Sequence, residues 1–300
     1  MAEKIYNRNY RDENITVTNV GACPGSEAFL ININRKNLLV DSGFSFCAEN
    51  MIRNIKSALG GESLDYILLT HSHYDHASGI PYCRSHFIDA KLVSSEYAAK
   101  IISKPSAVET MRELNRSAAD EHGVIEFEDK LDLLKVDIIV REGDAIDLEG
   151  VSLQVIEAPG HTRCSTAFYI PQEKFLISCE TIGCLIGDND AIPCYLVGYG
   201  MTLDSINKIL NLDVGKILVP HFGVLEGSTC KTYLNNVLPA AERLKNFIVT
   251  DYRQGKSIEE IIEHYEDVYY TEEVRRAQPS AAFRLNAKYL VPMIIRETAE

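Results

Sequence analysis

The sequence predicts a mixed α/β fold, and three observations carry that prediction. Short apolar runs of strand length recur from Ile15 to Val219. Clusters able to bind metal stand directly after several of these runs, namely His71/His73/Asp75/His76, His161, Glu180 and His221. Helical sequence interrupts the strands at about residues 95–122 and takes over from Thr229. A chain of 300 residues buries about three quarters of the surface its unfolded form exposes, enough for one large domain or two smaller ones. The pattern assigns 1–228 to a strand-rich domain with a helical insert and 229–300 to a helical cap of the same globule.

Taken in order, Ile15–Val20 alternates as a strand does. Ala28–Ile33 and Asn37–Val40 form two more strands joined by a turn at Asn34-Arg35-Lys36, and Asp41-Ser42-Gly43 closes the second. Residues 48–59 fit an amphipathic helix ending at Gly60-Gly61. The apolar run Leu64–Leu69 is a buried strand leading into His71. Ser95–Ser103 and Ser106–His122 are helix-like. Strands resume at Val136–Val140, Val151–Ile156, Thr166–Ile170 and Lys174–Ser178. Leu203–Leu210 is a short helix, and Lys216–Val219 is a strand ending at Pro220-His221-Phe222-Gly223. In the C-terminal part, Ser257 and Glu260 form a capping box. Ser280 caps a final helix running to about Leu290, which Pro292 ends or kinks.

Composition narrows the function. Net charge is −13 and the isoelectric point is about 5.1. That disfavours non-specific binding to nucleic acid or an anionic membrane, although a few well-placed cations still suffice for a small anionic substrate. There is no run of 18 apolar residues and hence no membrane span. The N-terminus lacks the apolar stretch of a secretion signal. None of the eight cysteines is paired as C-x-x-C, so reduced thiols and a cytoplasmic location are expected.

Residues 71–76 hold three histidines and one aspartate where a strand ends and the chain turns. Such a loop can send His71 and His73 to one ion, and Asp75 and His76 to a second. Each site then lacks ligands. His161 can complete the first, His221 the second, and Glu180 can bridge or approach both. Coordination of this kind is rich in nitrogen and oxygen with room for water. It suits zinc first, with iron and manganese as alternatives, in an open catalytic site rather than a closed structural one. Two such ions can hold a hydroxide between them and hydrolyse a substrate without a protein nucleophile. Asp75 and His76 are the candidate catalytic side chains within the cluster. No G-x-S-x-G or P-loop offers competing chemistry.

Thr70–Gly79, Ala158-Pro159-Gly160-His161-Thr162, the His221 loop and Asp41-Ser42-Gly43 together resemble the metallo-β-lactamase superfamily over roughly residues 15–225. The resemblance implies an αββα sandwich with the metal site at one edge of the two packed sheets. Carried over by position, it gives His71, His73 and His161 to a first metal and Asp75, His76 and His221 to a second. One position departs from the family pattern. Glu180, in Ser178-Cys179-Glu180-Thr181, stands where the family usually has a bridging aspartate. Its extra methylene extends the carboxylate by roughly 1.5 Å. Glu180 then bridges in another rotamer, or binds one metal only, or leaves one site weak.

The runs Thr70–Tyr82, Ser106-Ala107-Val108, Leu114-Asn115-Arg116 and Leu153–Ala158 are similar to the group containing the bacterial quinolone-signal thioesterase. That group has a helical C-terminal region covering the site. This resemblance implies thioester or ester hydrolysis of a small molecule, with a lactonase, a phosphodiesterase or a non-hydrolytic metal sensor or redox protein as alternatives. The loop after His221, Phe222-Gly223-Val224, lacks the His-Glu-Tyr-Thr run of glyoxalase II proper. In the cap, Arg284 and Lys288 are four apart on one helix face and are candidates for an anionic substrate group, as are Arg275 and Arg276. No nucleic-acid or membrane partner is expected, and a homodimer is compatible with the sequence.

Overall fold

The computed structural model describes residues 9–186 and 190–298. Strands β1 (Tyr10–Arg11), β2 (Ile15–Asn19), β3 (Phe29–Ile33), β4 (Lys36–Val40), β5 (Tyr66–Leu68), β6 (Lys91–Ser95) and β7 (Ile138–Val140) form one sheet in sequence order. It is antiparallel through β4 and parallel from there on. A second sheet holds β8 (Ala145–Asp147), β9 (Ser152–Glu157), β10 (Thr166–Ile170) and β11 (Phe175–Ile177). A separate hairpin follows, β12 (Cys184–Ile186) and β13 (Asp190–Ile192). The second sheet is completed by β14 (Lys216–Val219), parallel to β11, and β15 (Gly223–Glu226).

Side chains alternate along these strands and so divide the interior into three layers. Phe29, Ile31 and Ile33 of β3 meet Phe168, Ile170 and Leu218 of the other sheet between the two sheets. Leu30, Leu39 and Ile67 point the opposite way, against the helices α1 (Ala48–Leu59), α2 (Tyr74–Ala77), α3 (Ile80–His86), α4 (Glu96–Ile102) and α5 (Pro105–Glu121). On the far side, Ile156, Tyr169, Leu176 and Ile217 pack against α6 (Tyr199–Leu210), α7 (Gly227–Arg253), α8 (Ile258–Tyr269) and α10 (Ser280–Thr298). The short α9 (Glu272–Ala277) joins α8 to α10. The architecture is the expected αββα sandwich, and the C-terminal helices share one apolar cluster with the outer face of the second sheet.

Local signals place most elements. The two-residue loop Asn34–Arg35 has both residues at positive φ, the geometry that lets a tight hairpin follow the strand twist. Gly60 ends α1 in the left-handed conformation and donates to Lys56. The capping box of α8 forms between Ser257 and Glu260. Strands β1, β8, β12, β13 and β15 and helices α2 and α3 are additional to the expected elements, and three further elements differ from expectation. Strand β6 is additional to the expected strands, because Lys91-Leu92-Val93-Ser94-Ser95 is short and half polar. Helix α6 begins at Tyr199, four residues earlier than expected. Ser280 lies inside α10 rather than capping it, and the helix continues through Pro292 to Thr298. Buried Val291, Met293 and Ile294 hold that last stretch against the apolar cluster, which outweighs the cost of the missing donor.

Candidate metal centre

Five strand ends build the site. Asp41 follows β4, residues 69–76 follow β5 and run into α2, His161 follows β9, Glu180 follows β11 and His221 follows β14. Asp41 and His221 both take positive φ, at 57° and 58°. Such backbone is costly for a side-chain-bearing residue and persists where the surroundings fix it. For Asp41 those surroundings are explicit. Its carboxylate accepts from the Thr70 backbone and hydroxyl at 2.9 and 2.8 Å and lies 2.8 Å from His76 Nδ1. Ser42 secures the same loop, donating from both its N–H and its hydroxyl to the His76 carbonyl. Gly79 lets the loop approach, since a Cβ there would lie 2.1 Å from the Ser42 carbonyl oxygen.

The His161 loop is tied to its neighbours by side chains with no ligand role. Its N–H donates to the Thr181 hydroxyl at 3.1 Å. Gly160, at φ 156°, has no room for a Cβ beside Thr181 and Thr202. Cys164, buried, touches the Ser72 and Thr162 hydroxyls at 3.3 and 3.1 Å and so links the two histidine loops. Cys179, next to Glu180, faces the apolar core instead, and burial pushes its thiol up to about 12.

Two clusters of ligand-type atoms result, each with its atoms within 4.8 Å of one another. His71, His73 and His161 make the first, and Asp75, His76, Glu180 and His221 the second. Glu180 faces both, with Oε2 at 3.1 Å from His161 Nε2 and Oε1 at 2.8 Å from His76 Nε2 and 2.9 Å from His221 Nε2. Among the described residues His71 Nε2 is buried without a hydrogen-bond partner, while His161 presents Nε2 to the cluster, 2.9 Å from His73 Nδ1. A buried nitrogen like that of His71 is costly unless something coordinates it. A divalent ion fits the set, because imidazole and carboxylate are its ordinary ligands.

The two clusters differ in charge. Burial, with the neighbouring imidazoles, holds His71 well below its usual range, and His73 and His161 fall to about 4. All three are neutral at pH 7, the form that binds metal. In the second cluster burial opposes charge but the carboxylates prevail. Asp75, Asp41 and Glu180 raise His76 to about 10. Glu180 and Glu27 raise His221 well above its usual range. Glu180 is held well below the usual carboxylate range by His161, His221 and His76 despite its burial. Asp75 is raised, chiefly by burial and then by Glu180. This half of the site is acid-rich and calls for positive charge, from protons or from a cation.

All seven candidate ligands thus meet in one place. The cap residues do not join them. Arg284 pairs with Glu259 and Glu266 at 2.9 and 3.2 Å, Lys288 is exposed on α10, Arg276 pairs with Glu272, and Arg275 donates to the Tyr270 carbonyl and lies over its ring. Tyr265 stacks on Phe283 and Tyr270 lies tilted against it in the core. Two contributors lie outside the sequence-predicted set. Glu27, 7% exposed, lies 3.0 Å from His221 Nδ1. Asn115 of the insert, buried, donates to the Ser78 hydroxyl at 2.8 Å and accepts from the Ser45 N–H. Neither carries a spacing signal, because each acts across more than 35 residues of chain.

Comparison with known proteins agrees with this fold. A model of the metallo-beta-lactamase superfamily matches residues 22–221. A beta-lactamase-like protein 2 homolog of Caenorhabditis elegans is 22% identical over 246 residues, covering 81% of this chain and 68% of that one. A hydroxyacylglutathione hydrolase of Ruegeria pomeroyi is 28% identical over 122 residues, 41% of this chain and 35% of that one. The crystal structure of a metallo-beta-lactamase family protein from Thermus thermophilus superposes with a TM-score of 0.65 at 18% identity, over 95% of this chain and 93% of that one. Among the described residues, no helix is long and apolar enough to cross a membrane.

Proposed function

The chain belongs to the metallo-beta-lactamase superfamily, and on that premise we propose that it is a hydrolase with a dinuclear centre acting on a thioester or ester of a small molecule. One observation carries the dinuclear reading: Glu180 places one carboxylate oxygen against each cluster of ligand atoms. His71, His73 and His161 would hold one divalent ion, and Asp75, His76 and His221 the other, with Glu180 reaching both. Zinc is the ion that three neutral imidazoles and a carboxylate favour. Ions bound there supply an activated water and polarise the scissile carbonyl.

The protein's own part is orientation and proton handling. Asp41 holds His76 by Nδ1 and Glu27 holds His221 by Nδ1, so both rings present Nε2 to the centre. Among the carboxylates of the clusters Asp75 has the more exposed side chain, 21% against 9% for Glu180. Asp75 is therefore the candidate to take a proton and return it to the leaving group, with His76 3.6 Å from it. The thioester class draws support from two sources. One is the sequence reading of Thr70–Tyr82, Ser106-Ala107-Val108, Leu114-Asn115-Arg116 and Leu153–Ala158 as similar to the group containing the bacterial quinolone-signal thioesterase, and the other is a relative named hydroxyacylglutathione hydrolase.

The test is a panel of thioesters, lactones and phosphodiesters offered to the metal-loaded protein and to His73→Ala. Turnover of thioesters that His73→Ala loses is the expected result. Turnover of lactones or phosphodiesters alone would overturn the substrate class but not the hydrolase. Turnover of none would overturn the hydrolase and favour a metal sensor or redox role.

A further inference from the structure

Beyond the dinuclear centre lies a third convergence of ligand-type atoms. Glu180, Cys184 and Cys194 each bring one such atom within 4.8 Å of the others. The two sulfurs are 3.8 Å apart. Two thiolates on one tetrahedral zinc, each at about 2.3 Å, are separated by about 3.8 Å. A disulfide would require about 2.05 Å. The separation, at which Cys194 donates to the Cys184 sulfur without an ion, excludes a disulfide and is compatible with two sulfurs sharing an ion.

The sulfurs are placed by structure rather than by chance. Gly183, at φ 94°, turns the chain sharply after Glu180, and a Cβ on it would lie 2.9 Å from the Ile192 carbonyl oxygen. The Tyr233 hydroxyl, buried in α7, reaches the Ile182 and Gly183 carbonyls at 3.2 and 2.8 Å and pins that turn. Cys184 then pairs with Ile192 across the β12–β13 hairpin, which sets Cys194 two residues beyond the register. Leu185 and Ala191 anchor the hairpin in the apolar cluster over the second sheet. Alternation along β12 turns Cys184 to the opposite face. Both cysteines are half-buried, so an ion can reach them. The other close thiol pair, Cys23 and Cys47 at 3.2 Å, has no third ligand-type group completing it among the described residues.

We propose that Cys184, Cys194 and Glu180 form a further site, for a soft divalent ion such as zinc, cadmium or cobalt, beside the dinuclear centre. Thiolates select soft ions over magnesium, calcium or manganese. The two thiols lose their protons to solvent as the ion binds. Both Glu180 oxygens already face the histidine clusters, so this site fills last and its ion is held chiefly by the two thiolates. The inference does not depend on hydrolysis being the reaction.

The experiment is a stepwise cobalt(II) titration of the full chain, read by thiolate-to-cobalt charge-transfer absorption. The expected band grows only with the third equivalent, disappears in both Cys184→Ser and Cys194→Ser, and survives in Cys179→Ser. Absence of the band through three equivalents, its persistence in both variants, or its full growth within the first two equivalents would each overturn the proposal. A second measurement avoids reliance on variants. Cadmium added as the third equivalent should slow alkylation of Cys184 and Cys194 by iodoacetamide at least tenfold, mapped by peptide mass spectrometry, and unchanged alkylation would contradict the site.

Discussion

Glu27 sits 3.0 Å from His221 Nδ1, on the far side of the imidazole from Glu180, so His221 lies between two carboxylates. A carboxylate behind a metal-binding histidine fixes its tautomer and raises its basicity, and losing one typically costs 10–100-fold in metal affinity. Glu27→Ala should therefore weaken the second equivalent of zinc by about that factor and leave the first nearly unchanged. Calorimetric titration at constant pH measures both steps. Equal weakening of both would show that Glu27 supports the fold rather than His221.

Glu180→Asp probes the position that departs from the family pattern. Glu180 contacts His161, His76 and His221 at ordinary hydrogen-bond distances, so its length suits this backbone. Withdrawing the carboxylate by roughly 1.5 Å should break one side of that span and weaken one equivalent of metal by about tenfold or more, as loss of a charged contact does. Tighter binding by the variant would mean that Glu180 is strained in the wild type.

The two clusters should respond differently to pH. His73 and His161 fall to about 4 through burial, so protons compete for the first cluster only as pH drops toward that value. His76 is raised to about 10, against its burial, by Asp75, Asp41 and Glu180, so metal must displace a proton there across the neutral range. Affinity for the second equivalent should rise about tenfold per pH unit for each proton displaced, and affinity for the first should be flat from pH 6 to 8. The metal-free fold follows the same signs. Neutral His73 and His161 contribute stability that is present above their unfolded pKa near 6.5 and lost as pH falls toward 4. Charged His76 contributes stability that is present below 6.5 and lost as pH rises toward 10. Thermal melts of the metal-free protein across that range check both slopes.

Gly79→Ala tests the close approach beneath the histidine loop. The added methyl would meet the Ser42 carbonyl oxygen at 2.1 Å, where backbone faces backbone and neither side can swing away. Overpacking of this kind costs about 1–3 kcal/mol. The melting temperature should fall by several degrees, and both equivalents of metal should weaken because Ser42 holds the His76 carbonyl.

Much of this is legible in the sequence because the metal-binding residues are written as strand-end clusters. His71, His73, Asp75 and His76 fall within one turn of chain, and a short apolar run precedes each of His161, Glu180 and His221. What stays hidden is what acts across distance. Glu27 reaches His221 over 194 residues and Asn115 reaches Ser78 over 37, and neither pairing leaves a local pattern. Strand β6 is hidden because its partners, β5 and β7, supply the context that its own five residues lack. The cap cations mislead for a related reason. Arg284 and Lys288 do share a helix face, but sequence does not reveal that α8 brings Glu259 and Glu266 to Arg284.

The dinuclear centre is tested most directly by counting zinc in the Cys184→Ser/Cys194→Ser double variant, where the thiol site cannot contribute. Two ions per chain at saturation are expected, falling to one in the same background with His221→Ala added. Saturation at one ion or fewer before that change would contradict a centre in which Glu180 serves two metals.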